Sequence, residues 1–254
     1  MGFGALATPF ETVMMKRSTE AARTPIGDVV AAAQLRHNRL TFRAVGLVVD
    51  RYAGRWQLEV TGAERLPAEG PAILAANHLS FVDSPLLMYR LPRRVWMLGK
   101  AEYMDSPVSR FLFPALGMIP LDRSRGRAAI EALKAGLAVL ESSQCLGIYP
   151  EGTRSRDGNL YRGHTGLAWL AFRSRAPVFP VGLRGTAEVH PPGARLPRLQ
   201  GACRITIGEP LTVDRYAGGT KRDHREFTDD VMFEIAQLSG QRYVDRYAEQ
   251  PAGS

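Results

Sequence analysis

Apolar positions along the chain change period several times, and each change marks an element. Over residues 26–48 they recur at helical spacing, at Ile26, Val29, Val30, Ala33, Leu40, Ala44 and Val48, with Arg36, Arg39 and Arg43 along one margin. Leu35 and Phe42 fall on the opposite side. Two placements satisfy this pattern: a helix packed on a domain core, or a helix lying in a membrane interface with its arginines at anionic headgroups. Residues 56–62 (WQLEVTG) then alternate like a half-buried strand, and 71–77 (PAILAAN) form the continuous apolar run of a central strand. Asp83, Ser84 and Pro85 supply a cap and an early-turn proline, so a helix is expected to begin there.

Further strands are expected at 94–99, 118–122, 145–150, 178–183 and 203–209. Between them, Ile130, Leu133, Leu137 and Leu140 predict a helix that covers a sheet face, and 227–247 predict a C-terminal helix. Strands interleaved with helices imply an α/β layer architecture with a largely buried sheet. At 254 residues, the chain suits one α/β domain, 56–254, preceded by an amphipathic helical segment, 1–55, rather than two equal domains.

Composition narrows the environment. Hydrophobic residues make up 45% and charged residues 23%, close to an ordinary folded protein. The two cysteines, Cys145 and Cys203, lack any neighbouring metal or redox pattern, and Cys145 opens an apolar run, which fits buried thiols in a reducing compartment. The first 15 residues carry Glu11 and no long apolar core, so no signal peptide is expected, and no stretch reaches the length of a membrane-spanning helix.

The net charge of +8 favours an anionic partner. The excess is local: residues 1–55 hold 8 basic against 4 acidic groups, 90–127 hold 8 against 3, and 151–184 hold 6 against 2. The segment from Glu209 onward reverses this, with 6 against 9. No continuous basic face and no nucleic-acid signature appear, so nucleic acid is not an expected partner.

Two segments carry candidate chemistry. Residues 77–83 read NHLSFVD, in which His78 is followed five positions on by Asp83. On one regular helix these would point about 140° apart. Placed as strand end, turn and helix start, the step can fold Asp83 back onto His78. A carboxylate on one imidazole nitrogen fixes the tautomer and raises the basicity of the other, which can then take a proton from an alcohol. The same two residues would also serve as a capping Asp beside a surface His with no chemistry.

The second segment, 150–155 (PEGTRS), follows an apolar strand. Pro150 and Gly152 shape a turn, Glu151 and Arg154 can pair or bind polar substrate, and backbone amides can face an anion. Arg162 follows where a helix start is expected. Between the two, Arg123, Arg125 and Arg127 alternate in a short turn that could grip a phosphate or stand as a solvated loop.

A serine hydrolase built on Ser80 or Ser84 fits poorly, because no GxSxG elbow is present and the residues lie too close along the chain. A metal site would need ligands that His37, His164, His190 and His224 do not offer at suitable spacing. A non-enzymatic basic module that binds anionic membrane remains as the alternative to an enzyme.

Taken in order, NHxxxxD at 77–83, Lys100 with GMIPLDR at 117–123, PEGTRS at 150–155 and VFPVG at 178–182 resemble the four blocks of the glycerolipid acyltransferase family, which includes 1-acylglycerol-3-phosphate acyltransferases. That resemblance implies a mixed sheet flanked by helices, an apolar tunnel for an acyl chain, and an N-terminal helical element on the membrane. It implies acyl transfer from acyl-CoA or acyl carrier protein to a glycerol hydroxyl, by direct attack and without a cofactor; the expected acceptor is lysophosphatidate-like, with glycerol 3-phosphate, another lysophospholipid or a glycolipid as the alternatives. His78 would be the general base and Asp83 its orienter. Asn77, Lys100, Arg123, Glu151, Gly152, Thr153, Arg154 and Arg162 would contact substrate. The expected location is the cytoplasmic face of the cell membrane, peripheral or monotopic. Where the family often has Lys-Gly after PEGTRS, this chain has Arg162 and Gly163, which exchanges a point charge for a forked donor.

Overall fold

A computed structural model describes residues 39–100, 118–121, 128–191, 193–194, 196–216 and 218–249. The 26–38 portion of the first expected helix, and Arg123, Arg125 and Arg127, lie outside the described residues. The first described element is α1 (Arg39–Arg55), followed by β1 (Glu59–Thr61), β2 (Ala72–Ala76), α2 (Asp83–Arg90), β3 (Val95–Lys100) and β4 (Met118–Leu121). Then come α3 (Ala128–Glu141), β5 (Cys145–Ile148), β6 (Leu160–Tyr161), α4 (Gly166–Ser174), β7 (Val178–Arg184), the short α5 (Thr186–Val189), β8 (Arg204–Ile207), α6 (Lys221–Ser239) and β9 (Tyr243–Val244).

Seven strands form one sheet in the order β1-β8-β7-β2-β5-β3-β4. All neighbouring pairs are parallel except β7 with β8, so the sheet is mixed, as expected. β2 sits at its centre. All five of its residues are buried, because a strand covered on both faces has no polar side to show. Successive side chains alternate between the two faces. Ile73 and Ala75 pack into a cluster with residues of α3, α4 and α6, while Ala72, Leu74 and Ala76 join Val49, Ala53 and the buried residues of α2.

Gly182 in β7 explains part of the VFPVG block. A Cβ there would lie 2.4 Å from the Leu238 carbonyl carbon and 2.6 Å from Ser239 N. Only glycine lets the last turn of α6 come that close to the sheet.

Two sequence expectations are corrected. The C-terminal helix starts six residues before the expected 227, at Lys221, after a capping box between Thr220 and Asp223. It stops at Gly240, whose left-handed φ of 66° is favourable for glycine, and 241–249 leave the helix to pair β9 with β6. Residue 56 likewise belongs to the turn that closes α1, since Trp56 N still bonds Tyr52 O, and the strand begins only at Glu59.

α1 packs on the domain rather than standing apart. Val49, Ala53 and Trp56 are buried, Phe42 stacks on Tyr89 at 4.4 Å, and Arg90 pairs with Asp50. Its outer side exposes Leu47 at 71% and Val48 at 56%, beside exposed Arg43, Arg51 and Arg55. One face of the helix therefore satisfies the core placement, and the opposite face keeps the apolar and basic character of an interfacial helix. Among the described residues, no helix is long and apolar enough to cross a membrane. Cys145 and Cys203 are buried free thiols, and burial pushes each up to about 12.

Candidate active site

β2 and β5 run parallel, side by side, with Ala75 opposite Ile148. Both motifs therefore leave the sheet at the same edge, outside the carboxyl ends of the strands, where ligand crevices of open α/β sheets form. The NHLSFVD turn follows β2, and Tyr149 with PEGTRS follows β5. Two bonds join them: His78 N donates to the Glu151 side-chain Oε2 at 3.2 Å, and Ser155 N donates to His78 O at 2.8 Å.

His78 Nδ1 lies 2.8 Å from Asp83 Oδ2. Asp83 is the first residue of α2 and does not cap it; the helix has Val82 at its N-cap and no side-chain cap. Its Oδ2 instead accepts the amides of Leu79 and Ser80, both at 2.7 Å. The position is fully buried. With Oδ2 acting as the acceptor, His78 Nδ1 is the donor of the pair and Nε2 is left as the lone-pair nitrogen. The His78 side chain is 17% exposed, so it borders solvent while its partner does not.

Glu151 is 1% exposed and uses both oxygens on backbone: Oε2 takes His78 N, and Oε1 takes Tyr161 N at 2.9 Å. Burial pushes its carboxyl up to about 7 against the opposing pull of those two amides. The expected Glu151–Arg154 pair is not formed. Glu151 is a brace inside the turn. Gly152, at φ 72°, donates its N–H to Tyr149 O at 3.0 Å and closes the turn, with Thr153 half-buried beside it. Arg154 is exposed and makes no hydrogen bond or ion pair to any described residue.

Asn77, expected to contact substrate, is fully buried and does structural work. Its Nδ2 donates to Leu183 O at 2.9 Å and to Gln241 Oε1 at 2.7 Å, and its Oδ1 accepts Leu183 N at 2.7 Å. The amide ties the end of β2 to β7 and to the chain after α6. Arg162, also expected at substrate, pairs with Asp245 at 3.6 Å, and its guanidinium lies 5.7 Å above the Tyr247 ring. Lys100 ends β3, and its side chain lies outside the described residues, as does all of Arg123.

Sequence reasoning missed the strap at 241–249. Gln241 bonds both Asn77 and Gly158 O, the latter at 2.8 Å, and Leu160 N and Arg162 N donate to the carbonyls of Arg242 and Arg246. Gly240 was the available signal, because a glycine after a long amphipathic run is a helix stop. Ser80 was also passed over as a scaffold residue: its hydroxyl donates to His190 O at 2.8 Å and lies 3.3 Å from His190 Nδ1. Among the described residues no group of His, Cys, Asp or Glu could hold a metal ion.

A mixed, mostly parallel sheet with a buried Asp bonded to a solvent-bordering His at its carboxyl edge, joined to a glycine-containing turn, places the molecule among α/β proteins that act at the ends of their strands. The chain belongs to the Acyltransferase family, whose sequence profile matches residues 57–184. It is 29% identical over 157 residues, 61% of this chain and 45% of the relative, to a chloroplastic 1-acyl-sn-glycerol-3-phosphate acyltransferase of Brassica napus. It is 34% identical over 142 residues, 56% of this chain and 49% of the relative, to a 1-acyl-sn-glycerol-3-phosphate acyltransferase of Limnanthes douglasii. The chain spans about half the length of these curated relatives. A crystal structure of PlsC, the 1-acyl-sn-glycerophosphate acyltransferase of Thermotoga maritima, shares the fold with a TM-score of 0.61 and 24% identity, covering 85% of this chain and 88% of that one.

Proposed function

We propose that this protein transfers a fatty acyl group from a thioester, acyl-CoA or acyl carrier protein, to the free glycerol hydroxyl of 1-acylglycerol 3-phosphate. The observation that carries the reading is the His78 Nδ1–Asp83 Oδ2 bond of 2.8 Å, in a loop whose backbone is bonded to the PEGTRS turn.

His78 Nε2 takes the proton of the acceptor hydroxyl as its oxygen forms a bond to the thioester carbonyl carbon. Asp83 holds the Nδ1–H and stabilises the imidazolium that results. The tetrahedral adduct then expels the thiolate, the C–S bond breaks, and the Nε2 proton passes to sulfur. An ester and a free thiol leave, and His78 is neutral again. Arg154, exposed in the turn beside this loop, is the cation that the acceptor phosphate would meet. No cofactor is needed, because the thioester carries the activation.

The outer face of α1, with Leu47, Val48, Arg43, Arg51 and Arg55, suits a seat on an anionic membrane surface, from which a lysophospholipid acceptor could enter. The cytoplasmic face is the side where both thioester donors are found, and a peripheral or monotopic position there follows from this seat.

The test offers 1-acylglycerol 3-phosphate, glycerol 3-phosphate and a neutral lysophospholipid on vesicles, with acyl-CoA or acyl carrier protein as donor. Thiol release and product mass are read together. Phosphatidate formation that His78→Ala lowers by about 10² to 10⁴ supports the assignment. Retained turnover in His78→Ala rejects the base. Vesicle binding without acyl transfer from either donor would make the protein a membrane module instead.

A further inference from the structure

His78 lies face to face with a second ring. Its centroid is 3.8 Å from that of Tyr149, and the two planes are 6° apart. Tyr149 directly follows β5, and its hydroxyl meets Ser84 Oγ, in the first turn of α2, at 2.9 Å. Its carbonyl accepts Gly152 N at 3.0 Å. One residue therefore touches the imidazole, the helix that presents Asp83, and the PEGTRS turn. Burial pushes the phenol well above its ordinary range, so the ring stays neutral at working pH.

We propose that Tyr149 is a positioning residue for the general base, fixing the imidazole plane and presenting its π face to the positive charge that His78 acquires on taking the acceptor's proton. This rests on the assignment of His78 made above. A plane held on one edge by Asp83 and on one face by Tyr149 has little freedom to rotate, so the direction of Nε2 is set before substrate arrives. The face of an aromatic ring is its negative side, and a cation within about 6 Å of the centroid is attracted to it. The hydroxyl bond to Ser84 keeps the ring in register with α2.

Among the described residues, the charged or titratable groups that bond His78 or its loop are Asp83 from α2, Glu151 from the turn, which accepts the His78 amide, and His190, which approaches Ser80 of the same loop. None of these is removed by changing Tyr149.

The experiment follows thiol release against pH, with the full chain on anionic vesicles, for Tyr149→Phe, Tyr149→Leu and a variant carrying pentafluorophenylalanine at position 149. Phe keeps the ring face and loses the hydroxyl, so kcat falls by only a few fold, about 2 to 5, and the acid limb of the profile stays in place. Pentafluorophenylalanine keeps the shape and reverses the ring's charge distribution. It should lower kcat by about 10-fold and move the acid limb down by about half a pH unit to one, with acceptor KM little changed. Leu removes the ring face without reversing its charge, so its acid limb should move less than with pentafluorophenylalanine, while kcat falls at least as far because the imidazole plane is no longer held. Imidazole NMR titration of the same variants must show the displaced limb on His78 and not on Glu151. Phe and pentafluorophenylalanine variants with the same kcat and the same acid limb would overturn the proposal, even if Leu fails to fold. Should His78→Ala stay active, the base assignment falls instead, so the two failures are distinct.

Discussion

Ser155 donates its backbone amide to the carbonyl of His78 at 2.8 Å, across 77 positions of sequence. The return bond, from His78 N to Glu151 Oε2, makes the strand-end loop and the PEGTRS turn one rigid piece. Neither motif owes its shape to its own residues alone. The loop after β2 is held open by Asp83 on one side and by the turn after β5 on the other, and this sets where the imidazole edge meets solvent.

Asp83 presents one oxygen to three donors, His78 Nδ1 and the amides of Leu79 and Ser80, while its Oδ1 has no hydrogen-bond partner among the described residues. Asp83→Asn can keep the two amide bonds through its carbonyl oxygen, but it supplies no charge to stabilise imidazolium. Turnover should fall by roughly 10³ to 10⁴. Thermal stability should change far less, since the loop retains its main bonds. Thiol release and a melting curve on the same preparation check this; an active Asp83→Asn enzyme would remove the dyad from the mechanism.

Asn77 belongs to the frame. Asn77→Ala leaves the Leu183 amide and carbonyl and the Gln241 side chain without their partner in a buried place, at a cost of about 2 to 4 kcal/mol. Gln241→Ala removes only one of those contacts and the bond to Gly158, and should cost about 1 kcal/mol. Urea unfolding of both variants distinguishes them. A larger loss for Gln241→Ala than for Asn77→Ala would mean that the C-terminal strap, and not the β2–β7 link, carries the stability.

Gly182→Ala tests the close approach of α6 to the sheet. The new methyl meets main chain at Leu238 and Ser239, which cannot rotate away, so the last turn of the helix must shift. Overpacking of this kind costs about 1 to 3 kcal/mol. Gln241 follows that turn directly, so kcat should drop several-fold as Asn77 loses its strap contact. A variant with unchanged Tm and unchanged kcat would show that the helix end moves freely.

Much of this was legible in the chain. The apolar run at β2 reads as a central strand, and a helix that begins at Asp83 can bring that residue back to His78; both are found. What stayed hidden depends on long-range partners. Nothing near Asn77 in sequence indicates that its amide will be taken by Leu183 and Gln241, 106 and 164 positions away. Asp83 was expected as a cap because Asp-Ser-Pro favours one, yet the amides of the preceding loop and the imidazole compete for the same carboxylate and win. Two-residue strands such as β6 and β9 leave no periodicity to read, since their pairing comes from the fold and not from their own pattern.

Glu151 makes the stability of the fold depend on pH. Its carboxyl is pushed from 4.5 up to about 7, chiefly by burial. The folded protein thus holds that proton more tightly than the unfolded chain does, and the stability from this group is present below about pH 4.5 and lost as pH rises through 7. Glu151→Gln removes the titration, although its NH₂ leaves one of the two backbone amides unpaired. Wild type should therefore be the more stable at pH 5, by a margin that shrinks toward pH 8. Urea unfolding of both proteins at the two pH values checks this, and a constant margin would place the titration elsewhere.

The membrane seat is tested on α1 without touching the core. Leu47 and Val48 are 71% and 56% exposed, so Leu47→Glu with Val48→Glu should leave the melting temperature nearly unchanged. The two new carboxylates would sit where an acyl layer and anionic headgroups are expected, among Arg43, Arg51 and Arg55. Sedimentation with vesicles rich in anionic lipid should fall about 10-fold or more, given the apolar area lost and the charge reversed. Turnover on a vesicle-borne acceptor should fall in parallel, while turnover on a detergent-dispersed short-chain acceptor should be preserved, because His78, Asp83 and the PEGTRS turn are intact. Raising the salt concentration should weaken wild-type binding too, since part of the attraction is electrostatic. A double variant that sediments like wild type would show that α1 faces water and that the docking surface lies on another part of the chain.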